Sequence, residues 1–192
     1  YIEQGNKNRV PVILLHGYTD SYQSFSSLLP FFPDDMHVLA VSLRGHGHSS
    51  KPDTGYSPQA MAADVVAFMK KKGIRFAVLA GHSMGSTVAV YTAFSIPHRI
   101  KGLVLIGAFS NYSQKETLQA FRREVTNLRE PLDTGFVRSF QAGTAAIPLQ
   151  PVWMNMVVEE SLKVPVRVWK GAIEELFNDS NLPGIISTID CS

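Results

Sequence analysis

The chain has 192 residues, 45% hydrophobic and 18% charged, with a formal net charge of +2. That length suits one domain carrying an insertion, with ample apolar material for a buried core. The weak, scattered charge argues against a nucleic-acid or anionic-membrane surface, and the single cysteine, Cys191, excludes an internal disulfide framework.

Residues 10–15 (VPVILL) form a short apolar run of the kind that is buried on both faces of a parallel sheet. Residues 37–43, 76–80 and 102–106 read as strands of the same type. Between them, Ser57 and Pro58 mark a helix start, and Met61, Val65, Phe68 and Met69 repeat at helical spacing up to a stop at Gly73. The Lys70–Lys72 run is a solvated, dipole-matched helix end. A second helix is expected over 83–96, closed by Pro97. This alternation predicts an α/β fold, a mainly parallel, doubly wound sheet with helices on both faces.

After residue 106 no buried strand is evident. Residues 112–182 read as a helical cap inserted over the C-terminal edge of the sheet, with 1–111 as the core and 183–192 as a tail leading toward a further strand. Within the cap, Val166, Trp169, Ile173 and Phe177 recur at three and four residues, while Arg167, Lys170 and Glu174 take the other face. That spacing predicts a helix and places Glu174 on its solvated side, not at a catalytic centre. No internal repeat or membrane-length apolar run is visible. No secretory leader is seen either, so a cytoplasmic location is expected, although the sequence opens on Tyr1 and not on methionine.

The stretch 81–85 (GHSMG) fits G-x-S-x-G between a strand and a helix, where a sharp turn presents Ser83 and the helix N-terminus favours developing negative charge. His16-Gly17-Tyr18 follows the first strand at the sheet edge where open α/β sheets bind ligands. A backbone N–H there, with that of Met84, suits a tetrahedral oxyanion. His16 reads as a loop organiser and His82 as scaffold pointing away from the serine.

Three segments, ILLHGYTDS, VSLRGHGHSSKP and GHSMGS, in this order and spacing, resemble the α/β-hydrolase superfamily, closest to its cap-bearing esterases and lactonase-like hydrolases. The resemblance implies Ser83 as nucleophile and the amides of Tyr18 and Met84 as the oxyanion hole. It also implies a structural loop at 44–49, which commonly begins with an acid where this chain has Ser42. A serine at position 83 distinguishes the chain from dehalogenases and epoxide hydrolases of this fold, which use aspartate there. Neither metal nor cofactor is expected, because His46 and His48 lack carboxylate or cysteine partners nearby.

In this superfamily the triad runs serine, acid, histidine along the chain. None of the six histidines lies beyond His98, and His98 falls past the far end of the Ser83 helix, about 20 Å away at helical rise. The expected reading is therefore a serine hydrolase of small apolar esters or lactones whose acid and histidine are not in this chain. Its sheet would be incomplete at both ends, with residues 184–192 approaching the next strand. An inactive fragment, or a non-catalytic relative that binds a small ligand or partner, is the alternative. His16, Trp153, Met156, Leu162 and Trp169 are candidate substrate contacts. An open sheet edge predicts self-association or a complementing polypeptide.

Overall fold

The computed structural model describes residues 1–188. Five strands, β1 (Ile2–Gln4), β2 (Val12–Leu15), β3 (Val38–Val41), β4 (Ala77–His82) and β5 (Ile100–Ile106), form one sheet. Their order is β1-β3-β2-β4-β5; β1 runs antiparallel to β3 and every other pairing is parallel. The four parallel strands coincide with the apolar runs of the sequence. β1 has no such run, because an edge strand needs little apolar burial. It is held instead by Glu3, which accepts from His37 Nε2 at 2.9 Å and from Lys72 Nζ at 2.8 Å.

Alternation along the strands divides the core. Ile13, Leu15, Leu39 and Leu79 face α1 (Pro58–Lys71) and α2 (Met84–Ser95), packing on Met61, Met69 and Val88. Leu14, Val38, Ala40 and Ala80 face the opposite way, onto Phe25 and Leu29. That second face is covered by two 3₁₀ turns at Tyr22–Phe25 and Leu29–Phe31, and not by the long helix that a doubly wound sheet leads one to expect. Pro30 and Pro33 interrupt the segment and remove the amides that a continuous helix would need.

Ser57 caps α1 by accepting from the Ala60 amide, and Gly73 follows its end at φ +68°. The cap consists of α3 (Glu116–Thr126), α4 (Thr134–Thr144), α5 (Pro151–Leu162) and α6 (Val166–Phe177). Within it α4 packs on α5 and α3 on α6. In α6, Val166, Val168, Trp169, Ala172, Ile173 and Leu176 are buried. Glu174 points outward and pairs with Arg122 of α3, at 2.9 Å from Nε, as the periodicity requires. A short α7 (Leu182–Ile186) packs on α2 at the start of the tail; the expected approach to a further strand runs into residues 189–192, which lie outside the described residues.

The loop after β3 closes through its serine. Ser42 Oγ accepts from the Tyr22 amide at 3.1 Å and the Ser42 carbonyl accepts from Ser49 Oγ at 2.7 Å, so the hydroxyl supports the loop where an acid was the common choice. At the other end of the sheet, Val104, Leu105 and Ile106 of β5 are 48%, 41% and 47% exposed.

Candidate active site

β4 ends in a tight elbow. Ser83 sits at φ 50°, ψ −117°, a conformation strained for any residue but glycine, between the strand and the first turn of α2. The turn closes only because its neighbours lack side chains. A Cβ on Gly85 would lie 2.2 Å from the Leu15 carbonyl oxygen, and one on Gly81 would lie 2.3 Å from that of Gly85. Hydrogen bonds from Ser83 N to Ile106 O at 2.8 Å and from Ser86 Oγ to Gly81 O at 2.6 Å then lock it.

The loop after β2 faces this elbow. The Leu43 amide donates to His16 Nε2 at 2.9 Å, so Nε2 is the acceptor and Nδ1 carries the proton that it donates to Gly17 O at 2.7 Å. Both ring nitrogens are thus committed within the scaffold. Burial holds the imidazole neutral, well below the usual histidine range. His16 organises the loop and is not available as a base. The amides of Tyr18 and of Met84, the first residue of α2, donate to no acceptor among the described residues, which leaves them free for a ligand. Tyr18 is fixed from its far end, where its hydroxyl donates to Trp169 O at 2.5 Å and its ring meets Trp169, Phe121 and Phe140 edge to face.

Ser83 opens onto a cavity of about 350 Å³ between sheet and cap. Its wall is largely apolar and includes Phe109, Tyr112, Phe121, Phe140, Ile173 and Phe177. One corner is polar and holds Asp20, His82, Ser83 and Gln141. Gly17 makes room for that corner: a Cβ there would stand 2.9 Å from His82 Nδ1 and 3.1 Å from Asp20 Oδ2. Burial raises the Asp20 carboxyl to about 6, against the lowering effect of its hydrogen bonds to Gln141 and Ser24. Burial lowers His82.

The structure brings Ser83 and Tyr18 to the cavity, with Met84 next to the serine at the start of α2, and disperses the other candidates. His16, Trp153, Met156, Leu162 and Trp169 are absent from the cavity lining. Trp169 is fully buried, its indole donating to Val164 O at 3.1 Å, and it stands behind the cavity wall, against Tyr18 and Phe140. Trp153, Met156 and Leu162 lie on α5, whereas the cap's contribution to the cavity comes from α3, α4 and α6. Apolar spacing identifies helices but not which face of which helix meets a cavity. His82, expected to point away, lines the same cavity as Ser83.

Asp20 and Gln141 went unmarked in the sequence. Only the position of Asp20, three residues past Gly17, hinted at a role. Among the described residues nothing hydrogen-bonds the Ser83 hydroxyl, and no three His, Cys, Asp or Glu side chains converge as a metal-ligand set. No helix is long and apolar enough to cross a membrane among these residues.

A parallel sheet with a strained serine elbow at its C-terminal edge, a facing loop with free amides and a helical cap above define an α/β hydrolase. The family model for the alpha/beta hydrolase fold matches residues 10–173. The chain belongs to that family. It is 32% identical over 114 residues to a 2-(acetamidomethylene)succinate hydrolase of Mesorhizobium japonicum, covering 59% of this chain and 41% of that one. It is 36% identical over 110 residues to a non-heme chloroperoxidase of Streptomyces lividans, covering 56% and 40%. A crystal structure from work on carboxylesterases of Nitrososphaera gargenis superposes with a TM-score of 0.83 at 18% identity, covering all of this chain and 72% of that one. The chain therefore spans about two fifths of the length of these curated relatives.

Proposed function

We propose that the protein hydrolyses carboxylic esters or lactones through an acyl-enzyme on Ser83. The observation that carries this reading is the strained Ser83 elbow opening onto an apolar cavity that Tyr18 also lines, with the unpaired amide of Met84 directly after the serine. In the proposed reaction Ser83 Oγ attacks the acyl carbonyl while its proton passes to a base, and the two amides hold the oxyanion. Collapse expels the alcohol, which takes up the proton. Water, deprotonated by the same base, then attacks the acyl-serine, releasing the acid and restoring Ser83. The aromatic wall suits an apolar acyl or alcohol group of modest size.

No histidine of this chain is placed to serve as that base. His16 is committed to its loop, and His46 is buried with Nδ1 on Arg44 O at 2.8 Å. His37 pairs with Glu3, and His48 and His98 are exposed outside the cavity. His82 lines the cavity but makes no hydrogen bond to Ser83. We therefore assign the histidine and acid of the triad to residues outside these 192. That same feature favours the second reading, a ligand-binding relative without turnover.

Hydrolysis of p-nitrophenyl butyrate, followed beside Ser83→Ala, separates the two. Weak turnover by the 192-residue chain that falls in Ser83→Ala is expected, since a serine held beside the oxyanion donors can still be acylated slowly with solvent taking its proton. Turnover unchanged in Ser83→Ala overturns the nucleophile assignment. A ligand-induced rise in Tm with no turnover favours the binding reading. Ready labelling of Ser83 by a fluorophosphonate overturns the placing of the base outside these residues.

A further inference from the structure

The polar corner of the cavity is joined to a buried chain of hydrogen bonds that crosses from the cap to the core. The side-chain amide of Gln141, on α4, uses both of its N–H groups: one goes to Asp20 Oδ1 at 3.1 Å and the other to Ser161 Oγ, on α5, at 2.8 Å. Ser161 Oγ in turn lies 3.1 Å from Thr19 Oγ1 and 3.3 Å from Thr19 O. Gln141, Ser161 and Thr19 are 4%, 0% and 0% exposed.

What this network grips is a strained piece of backbone. Thr19 holds φ +60°, and apart from Ser83 no other non-glycine described residue has a positive φ. A β-branched residue stays there only where its surroundings over-determine it. Every contact of the network on the loop falls on Thr19 or Asp20, next to the free amide of Tyr18. Docking the cap with apolar side chains would avoid the desolvation of four polar groups. The network therefore has a task beyond attachment.

We propose that Gln141 is a positioning residue, holding Thr19 and Asp20 so that the Tyr18 amide is aimed into the Ser83 cavity. The cap thereby sets the oxyanion geometry of the core. This rests on the assignment of the Tyr18 and Met84 amides to the oxyanion hole. The groups that face Asp20 are Gln141 from α4, the Ser24 hydroxyl from the 3₁₀ turn, and the His82 imidazole from the elbow. Glu160 of α5 acts on it at longer range and is itself paired with Lys163.

The two halves of the oxyanion hole are separable, because the hydrogen bonds of the network fall on the Tyr18 loop and none falls on the Met84 elbow. The test is a titration of the ¹⁵N-labelled full chain with 4-phenylbutyrate, a carboxylate with an apolar tail that needs no general base to bind. In the wild type both the Tyr18 and Met84 amide resonances shift. In Gln141→Leu the Met84 shift persists, the Tyr18 shift is lost and affinity falls on the order of tenfold. The order parameters of residues 17–20 drop from the rigid range, about 0.85, toward about 0.6.

Gln141→Glu supplies a readout that simple loss of packing would not move. It donates to Asp20 and behaves as wild type near pH 5, and behaves as Gln141→Leu near pH 8, where two carboxylates would meet. Should Gln141→Leu fail to fold, Ser161→Ala removes the grip on Thr19 and carries the same expectation. A folded variant of either kind with Tyr18 shifts and order parameters unchanged overturns the inference. A wild type in which neither amide responds overturns the oxyanion assignment itself, and the inference with it.

Discussion

At the residue scale the site depends on what is missing as much as on what is present. Ser83 reaches the cavity because Gly81 and Gly85 let two backbone segments approach to distances that no Cβ permits. Gly85 is the tighter case, since its Cβ would meet backbone carbonyl oxygens of both Leu15, at 2.2 Å, and His16, at 2.6 Å. Backbone in a central strand cannot give way as a flexible side chain would. Gly85→Ala is expected to cost at least about 2 kcal/mol and to displace the elbow. Urea denaturation checks the first effect, and an unchanged midpoint contradicts the account. Gly17 differs, because its Cβ would press on the Asp20 and His82 side chains, which can move. Substitution there is expected to act on the cavity more than on stability. Trp169, proposed from the sequence as a pocket wall, acts one step back by accepting the Tyr18 hydroxyl.

At the scale of elements, β2 and β4 are interior strands with buried residues on both faces, and their apolar runs announce it. β5 has the same texture over 102–106 but lies at the edge of the described sheet. Edge strands ordinarily carry charge, proline or a bulge on their open side. Here Val104, Leu105 and Ile106 are open instead, and Phe94 of α2 is 51% exposed. The 192-residue chain on its own is expected to self-associate through β5. Sedimentation velocity on the chain and on Val104→Lys/Leu105→Lys checks this. A single monomeric species for the unmodified chain contradicts it, as does association that the lysines leave unchanged. α6 shows the converse case, in which a helix with one apolar and one charged face settles with Trp169 inward and Glu174 outward.

For the whole molecule the buried ionisable groups set the response to pH. Burial holds His16 well below the ordinary histidine value of 6.5 and His46 at about 4. The unfolded chain takes up protons near pH 6.5 that the folded chain refuses. The contribution of both groups is therefore fully present above that pH and declines as pH falls, for His46 by about 1.4 kcal/mol per unit down to about pH 4. Asp20 opposes them: its folded pKa is raised from 3.8 to about 6, so the folded chain takes up that proton first and gains stability over this window. Burial lowers His82 as well, so three histidines stand against one carboxyl and the net effect is a loss of stability as pH falls from about 6 to about 4. Below about pH 4.5, Glu3 adds to the loss. Its hydrogen bonds to Lys72 and His37 lower it to about 2, so its contribution falls as pH drops through that range, by an amount reduced by solvent at the sheet edge. Urea midpoints at about pH 7.5, 6 and 4.5 test the sum. A flat profile, or greater stability at the lowest pH, contradicts it.

The sequence by itself determined the fold and the position of Ser83, because both are written in local terms. Strand runs, the Ser57-Pro58 helix start and the glycines around Ser83 each depend on neighbours a few residues away. It also placed Glu174 correctly on a helix surface, since period is a local property. Only the tertiary structure decided which cap residues line the cavity, that His82 faces it, and that one face of the sheet is covered by 3₁₀ turns. Only the tertiary structure could join Asp20 to Gln141 and Thr19 to Ser161, pairs separated by 121 and 142 residues. Such contacts depend on how the cap helices rotate and dock, and that is settled by packing between elements whose individual patterns fit several arrangements equally well.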